Sequence, residues 1–257
     1  EKKEMAGVPV AVVTPPVIAD QRRSRVLLNI HGGAFIYGEG MHTEAIVAAH
    51  WGNIKVISVD YRTAPDHPFP AVLEDTVAVY RELLKSYSPK QIAIYGSSAG
   101  GTFTATTILK LRDLGLPLPA AAGILTPATD LSQRIDGDST YVMEGVDLAL
   151  SGWRSKDSST GPSELFYGAH DPTDPLISPI FGDYSRGFCP SYFLAGTRDF
   201  LLSATVMLHR KMHSAGVPCE LHVFEAMWHG FNVMAHLPEA REATTDLMRF
   251  FDRWMEG

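Results

Sequence analysis

Gln91-Ile92-Ala93-Ile94-Tyr95-Gly96-Ser97-Ser98-Ala99-Gly100-Gly101 decides how the chain is to be read. An apolar run ends at Tyr95, a glycine-flanked serine follows, and a helical pattern opens near Gly101 with Phe103, Thr107, Leu111 and Leu114 on one face. Strand, sharp turn and helix in that order form the setting of a nucleophile elbow, the G-x-S-x-G turn that lifts a serine hydroxyl above a sheet. Only one register fits: Ser98 lies midway between Gly96 and Gly100, whereas centring on Ser97 would need a glycine at Tyr95. Glycines belong there because the turn strains the serine backbone and brings the adjoining strand and helix close together. By itself the pattern also describes an ordinary glycine-rich turn, so the rest of the chain has to decide.

Short apolar, β-branched runs recur at 8–13, 26–30, 55–59, 91–95, 122–125, 192–194 and 220–224, and read as strands. Between them lie 3.6-residue patterns: Val72, Thr76, Val79 and Leu83, the series after the elbow, and Leu202, Val206, His209 and Met212. A last amphipathic helix carries Ala243, Leu247, Phe250 and Trp254. Alternation of this kind predicts an α/β fold with a mostly parallel central sheet and helices on both faces. Residues 131–180 break the rhythm, being rich in Ser, Gly, Asp and Pro with scattered aromatics. They are expected to form a cap or lid inserted into a single domain spanning 1–257, with a long surface connection as the plainer alternative.

Of the 257 residues, 45% are hydrophobic and 20% charged, enough apolar surface for a substantial core. The net charge of −7 and the scattering of the 22 basic residues argue against a nucleic-acid partner. Cys189 and Cys219 are the two cysteines, and neither has metal-site spacing, so no metal is expected. No run approaches the roughly 20 apolar residues of a membrane span. A cytoplasmic protein is the resulting expectation.

His31-Gly32-Gly33-Ala34-Phe35 directly follows the run 26–30. Acyl transfer places negative charge on a former carbonyl oxygen, and prearranged backbone N–H groups stabilise it. Gly32, Gly33 and Ala34 are the candidate donors from this loop, joined by Ala99 just after the nucleophile. His31 is read as holding the loop by hydrogen bonds, not as transferring protons. A base should come late, since this arrangement runs serine, acid, histidine. Among ten histidines, His229 in Met227-Trp228-His229-Gly230-Phe231 follows the run 220–224 and is the best placed. Asp199 follows the run ending at Leu194 and is the candidate acid; Asp174 precedes that run and is its rival.

Taken together, the His31 to Ala34 loop, Asp60-Tyr61-Arg62-Thr63-Ala64-Pro65-Asp66-His67-Pro68-Phe69-Pro70-Ala71, the elbow and the His229-Gly230-Phe231 ending resemble the hormone-sensitive lipase family of carboxylesterases. The resemblance runs from about Val8 to the C-terminus. It implies the α/β-hydrolase fold and a structural role for Tyr61 to Ala71 in bracing the loop after His31. Two departures stand out. Ala34 occupies the place of a third glycine, which keeps the amide but narrows the room near the acyl group. Ser97 replaces the Asp or Thr common before the nucleophile, putting any subfamily hydrogen bond there in doubt. Family members usually carry N-terminal cap helices, whereas the segment before His31 is short, so either the cap is reduced or part of it lies outside this sequence.

The expected function is hydrolysis of short- to medium-chain acyl esters through an acyl-enzyme, with no cofactor and a small-molecule ester as substrate. Lactones, carbamates or amides could be handled by the same three residues. A non-catalytic ligand-binding member of the fold is the alternative from another class. Phe35, Trp153, Trp228 and Phe231 are candidate substrate-pocket walls, though each could equally be core. The resemblance also makes a homodimer an open expectation.

Overall fold

The structure, a computed structural model, describes residues 1–38, 40–132 and 161–256. Eight strands form one sheet: β1 (Lys2–Met5), β2 (Val8–Val13), β3 (Val26–Ile30), β4 (Lys55–Val59), β5 (Ile92–Ser97), β6 (Ala121–Leu125), β7 (Ser191–Gly196) and β8 (Cys219–Phe224). Their order across the sheet is β1-β2-β4-β3-β5-β6-β7-β8. The hairpin β1–β2 and the β2–β4 pair are antiparallel; every other pair is parallel. Six principal helices accompany them among the described residues: α1 (Thr43–Gly52), α2 (Ala71–Leu83), α3 (Ala99–Asp113), α4 (Pro162–Tyr167), α5 (Leu202–Ser214) and α6 (Pro238–Trp254). The mostly parallel sheet with helices on both faces is the architecture expected from the sequence.

Strand alternation sorts the core into two layers. Val26, Leu28, Ile30, Ile92, Ile94, Ile124 and Phe193 point to one face, where α2, α3 and α5 cover them with Val79, Phe103, Ile108 and Leu208. Leu27, Val56, Ala93, Tyr95, Leu125, Tyr192 and Leu194 point to the other, beneath Ala48 and Ala49 of α1 and Leu247, Phe250 and Phe251 of α6. A strand buried on both faces has no polar side to show, which is why these runs read as continuous apolar segments.

Two elements depart from the sequence-based expectation. β1 is a charged strand, Lys2-Lys3-Glu4-Met5, turned back by Ala6 and Gly7 at positive φ; it lies on the sheet edge, where charge is tolerated and discourages further pairing. α1 is Ala-rich and ends where Asn53 takes a left-handed conformation at φ 46. Its buried residues, Ala45, Val47, Ala48, Ala49 and Gly52, are mostly small and make a weak apolar stripe. Of the expected cap at 131–180, residues 133–160 lie outside the described residues, Trp153 among them. The described remainder includes α4, which packs Phe166 against Phe35 and Phe103. No helix among the described residues is long and apolar enough to cross a membrane.

The chain order changes direction around β3: it runs from β3 out to β4 and returns to β5 on the other side of β3. Open α/β sheets bind ligands at the carboxyl ends of the strands beside such a switch point. The loop opening at His31 leaves β3 there, and the Ser98 turn leaves β5 beside it.

Candidate active site

At the end of β5 the backbone turns sharply and Ser98 adopts φ 58, ψ −127, outside the ordinary regions for an L-residue. Its N–H is held by the Leu125 carbonyl at 2.9 Å, and its own carbonyl accepts Thr102 N–H at 3.1 Å as α3 begins. The flanking glycines answer to one obstacle: a Cβ at Gly96 or at Gly100 would lie 2.0 Å from the carbonyl oxygen of Ile30. Strand β3 thus ends between them, which accounts for the G-x-S-x-G spacing by contact instead of by pattern.

Three side chains from three loops form a continuous line. Ser98 Oγ donates to His229 Nε2 at 2.9 Å, and His229 Nδ1 donates to Asp199 Oδ1 at 3.0 Å. Asp199, 1% exposed, also accepts Leu201 N–H at 2.8 Å on Oδ1 and the Thr126 hydroxyl on Oδ2. Buried carboxylates need such partners, because desolvation without them would favour the neutral acid. Phe200 packs its ring 4.5 Å from the imidazole of His229. The rival Asp174 is engaged locally, its Oδ1 accepting Leu176 N–H at 2.8 Å in a turn.

The loop after β3 is braced as its residue types imply. His31 is buried, stacks on Tyr61 at 4.3 Å and donates from Nδ1 to Gly32 O at 2.7 Å. Burial holds its pKa below the ordinary histidine value, which favours the neutral ring. Tyr61 donates its hydroxyl to His31 O at 2.8 Å, and Arg62 grips Asp75 of α2 through Nε and Nη2. Asp60 accepts Gly40 N–H at 3.1 Å. Ala34 takes φ 51, a conformation that costs a residue with a Cβ on the order of 1 kcal/mol, the physical reason a glycine suits that place.

Several expectations need correction. Gly32 is not a free donor: its N–H is given to Glu44 Oε1 at 3.1 Å, leaving Gly33, Ala34 and Ala99 as candidate oxyanion donors. Ala99 is the first residue of α3, where N–H groups have no acceptor within the helix. Phe35, expected in the pocket wall, is 6% exposed and lies between Phe103 and Phe166. Phe231, 1% exposed, packs with Phe224 in the core beneath α6. Both rings pack into the core, that of Phe35 from a backbone at φ 73. Trp228 is partly buried against that same core.

Thr126 was not legible as a site residue. It is buried at the end of β6 with φ 44, a position that is a real outlier for a β-branched residue, and its Oγ1 stands 3.1 Å from His229 Nδ1 while donating to Asp199. The only available signal was its place one residue beyond an apolar run. Hydrogen bonds to charged groups contribute roughly 1.5–3 kcal/mol. Thr126→Val is therefore expected to lower kcat on a short ester by roughly 10- to 100-fold, with Thr126→Ser near wild type. Equal kcat for Thr126→Val and the parent would show that this hydroxyl does not help position the acid.

A strained serine at a strand-to-helix turn, hydrogen-bonded through histidine to a buried carboxylate, defines a serine hydrolase geometry on an α/β sheet. A family model described as alpha/beta hydrolase fold matches residues 27–233. Carboxylesterase NlhH of Mycobacterium tuberculosis is 31% identical over 255 residues, covering 93% of this chain and 76% of that protein. A crystallised esterase is 35% identical with a TM-score of 0.90, covering 100% of this chain and 78% of its own. A hormone-sensitive lipase from a metagenome library is 30% identical with a TM-score of 0.86, covering 99% and 85%. The chain belongs to the hormone-sensitive lipase family of carboxylesterases, within the alpha/beta hydrolase fold.

Proposed function

We propose that this carboxylic ester hydrolase cleaves short- to medium-chain acyl esters by a two-step transfer through Ser98. The observation that carries the reading is the unbroken hydrogen-bond line from Ser98 Oγ through His229 to Asp199. His229 Nε2 takes the hydroxyl proton as Ser98 Oγ bonds to the ester carbonyl carbon. The resulting oxyanion is met by the N–H groups of Gly33, Ala34 and Ala99, aided by the positive end of the α3 dipole. The C–O bond to the alcohol breaks as His229 returns the proton to the leaving oxygen. Water, deprotonated by the same imidazole, then attacks the acyl-enzyme and releases the acid. Asp199 keeps Nδ1 protonated and offsets the imidazolium charge.

Residues 131–180 are assigned to a lid on their composition and on α4, which buries Phe166 against Phe35, while no strand from the described residues of this span joins the sheet. The carbonyl of Phe166 also accepts Phe69 N–H at 2.8 Å, tying α4 to the Tyr61 to Ala71 brace. A homodimer would use an edge strand, β8 with its exposed Val223 rather than the charged β1, or else the terminal helix α6.

A panel of p-nitrophenyl esters of rising acyl length, with a lactone, a carbamate and an anilide of matched size, tests the substrate class. The expected result is highest kcat/KM on the shorter esters. Preference for the lactone, carbamate or anilide over every ester would overturn the assignment.

A further inference from the structure

Glu44, in the first turn of α1, lies under both halves of the site. Its Oε1 accepts Gly32 N–H at 3.1 Å, and its Oε2 accepts Ser97 N–H at 3.2 Å and Asn29 Nδ2 at 3.1 Å. One carboxylate thus holds the loop after β3 and the residue immediately before the nucleophile, with β3 itself as the third anchor. The arrangement is tight: a Cβ on Gly32 would come 2.7 Å from Ser97 O and 3.3 Å from the Ser98 Cβ. Ser97, whose departure from the family pattern left its bonding open, accepts Asn232 Nδ2 at 2.7 Å on its hydroxyl. Asn232 and Glu44 also line one small cavity of about 20 Å³ with Tyr95, Tyr192 and Thr244, among others.

We propose that the ionised carboxylate of Glu44 is a positioning residue for catalysis, clamping the oxyanion loop to the nucleophile elbow so that Gly33, Ala34 and Ala99 present their amides at the spacing the oxyanion requires. The inference rests on Ser98 being the nucleophile. Geometry supplies the reason the ionised form is needed. Both acceptor positions of Oε2 are taken, by Ser97 N–H and Asn29 Nδ2, so a proton on that oxygen would break an anchoring bond, and a proton on Oε1 would leave all three donors facing a neutral, weaker acceptor. Preorganised donors lose their value quickly when displaced, and misplacement by about 1 Å can cost about 10²-fold in rate.

The groups facing Glu44 are Asn29 and the His42–Ser58–Asn29 chain on the strand side, and Tyr61 beside the loop. Tyr95 and Tyr192 face it from the sheet, and His229 from the loop after β8. Burial is the main cause that raises its pKa to about 7, opposed by the hydrogen bonds it accepts and by the charge of His229. A carboxyl pKa raised on folding adds stability that is complete below about 4.5 and is lost as pH rises through about 7. Ionised Glu44 therefore serves the reaction at a cost to the fold, and removing its charge separates the two.

The test is Glu44→Gln, assayed on p-nitrophenyl acetate from about pH 5 to 9 beside thermal melting at about pH 8. In the parent, log kcat/KM should carry on the acid side a loss that tracks protonation of Glu44, at about pH 7. In Glu44→Gln that loss should be absent from the profile, with kcat about 10²-fold lower, KM within a few-fold, and the melting temperature at pH 8 not reduced. Unchanged kcat, or a loss of kcat that follows a lowered melting temperature with the acid-side profile unaltered, would overturn the proposal. Should that variant not fold, Glu44→Asp keeps the charge on a stem one methylene too short to hold all three donors, and a kcat equal to the parent's would overturn the proposal. Failure of the nucleophile assignment is distinguishable, since Ser98→Ala would then keep its turnover whatever Glu44→Gln does.

Discussion

Ser98→Ala is expected to lower kcat on p-nitrophenyl acetate by on the order of 10⁶-fold, to the level of water attack assisted only by the binding site and oxyanion donors. The loss is large because the proposed reaction has no second route: without Oγ, neither the covalent intermediate nor the proton transfer to His229 can occur. Structure should survive the change. The hydroxyl makes one hydrogen bond, to His229 Nε2, while the backbone of residue 98 is fixed by Leu125 O and Thr102 N–H whichever side chain is present. Alanine and serine suffer equally at φ 58, so no strain is added. A melting temperature near that of the parent, with turnover gone, is the predicted pair of readings. Turnover within tenfold of the parent would exclude this nucleophile.

Asp199→Asn comes next in expected size, a loss of kcat of on the order of 10³- to 10⁴-fold near neutral pH. The amide carries no charge to offset the imidazolium that forms as Ser98 attacks. It also disturbs the tautomer. Leu201 N–H points at Oδ1, which obliges the amide to keep its oxygen there and to turn its NH2 toward Thr126. The Thr126 hydroxyl then accepts from the amide, and its own proton becomes available to His229 Nδ1, 3.1 Å away. An imidazole receiving a proton bond at Nδ1 carries its hydrogen on Nε2, where it cannot accept from Ser98. Thr126→Val placed on the Asp199→Asn background should for this reason cost little more, or recover part of the loss, whereas on the parent it costs activity. If Asp199→Asn alone stays within tenfold of the parent in kcat, the orienting acid lies elsewhere.

Much of this arrangement could be read before any coordinates, for a physical reason. Close backbone approach demands glycine, so Gly96 and Gly100 around Ser98 record the position of Ile30 O in the sequence itself. Strands covered on both faces appear as apolar runs, and their spacing by helical patterns implies parallel pairing. Triad order then directs attention to loops after the right runs. What stayed hidden depended on direction, which residue type does not encode. Phe35 and Phe231 are aromatic beside the site, yet residue type does not tell a pocket wall from a core residue, and here both rings are buried. Gly32 reads as an oxyanion donor until Glu44, a residue on a weakly patterned helix, is found accepting its amide. Thr126 is likewise an unremarked threonine until the end of β6 brings it against Asp199.

Covalent labelling with a fluorophosphonate tests the central claim most directly, because the reagent forms a lasting bond only with a serine activated as described. The prediction is a single adduct on the peptide bearing Ser98, formed in step with the loss of esterase turnover and suppressed in a His229→Ala variant. Loss of turnover with the adduct on another residue, or continued hydrolysis of esters with no adduct at all, would contradict the account.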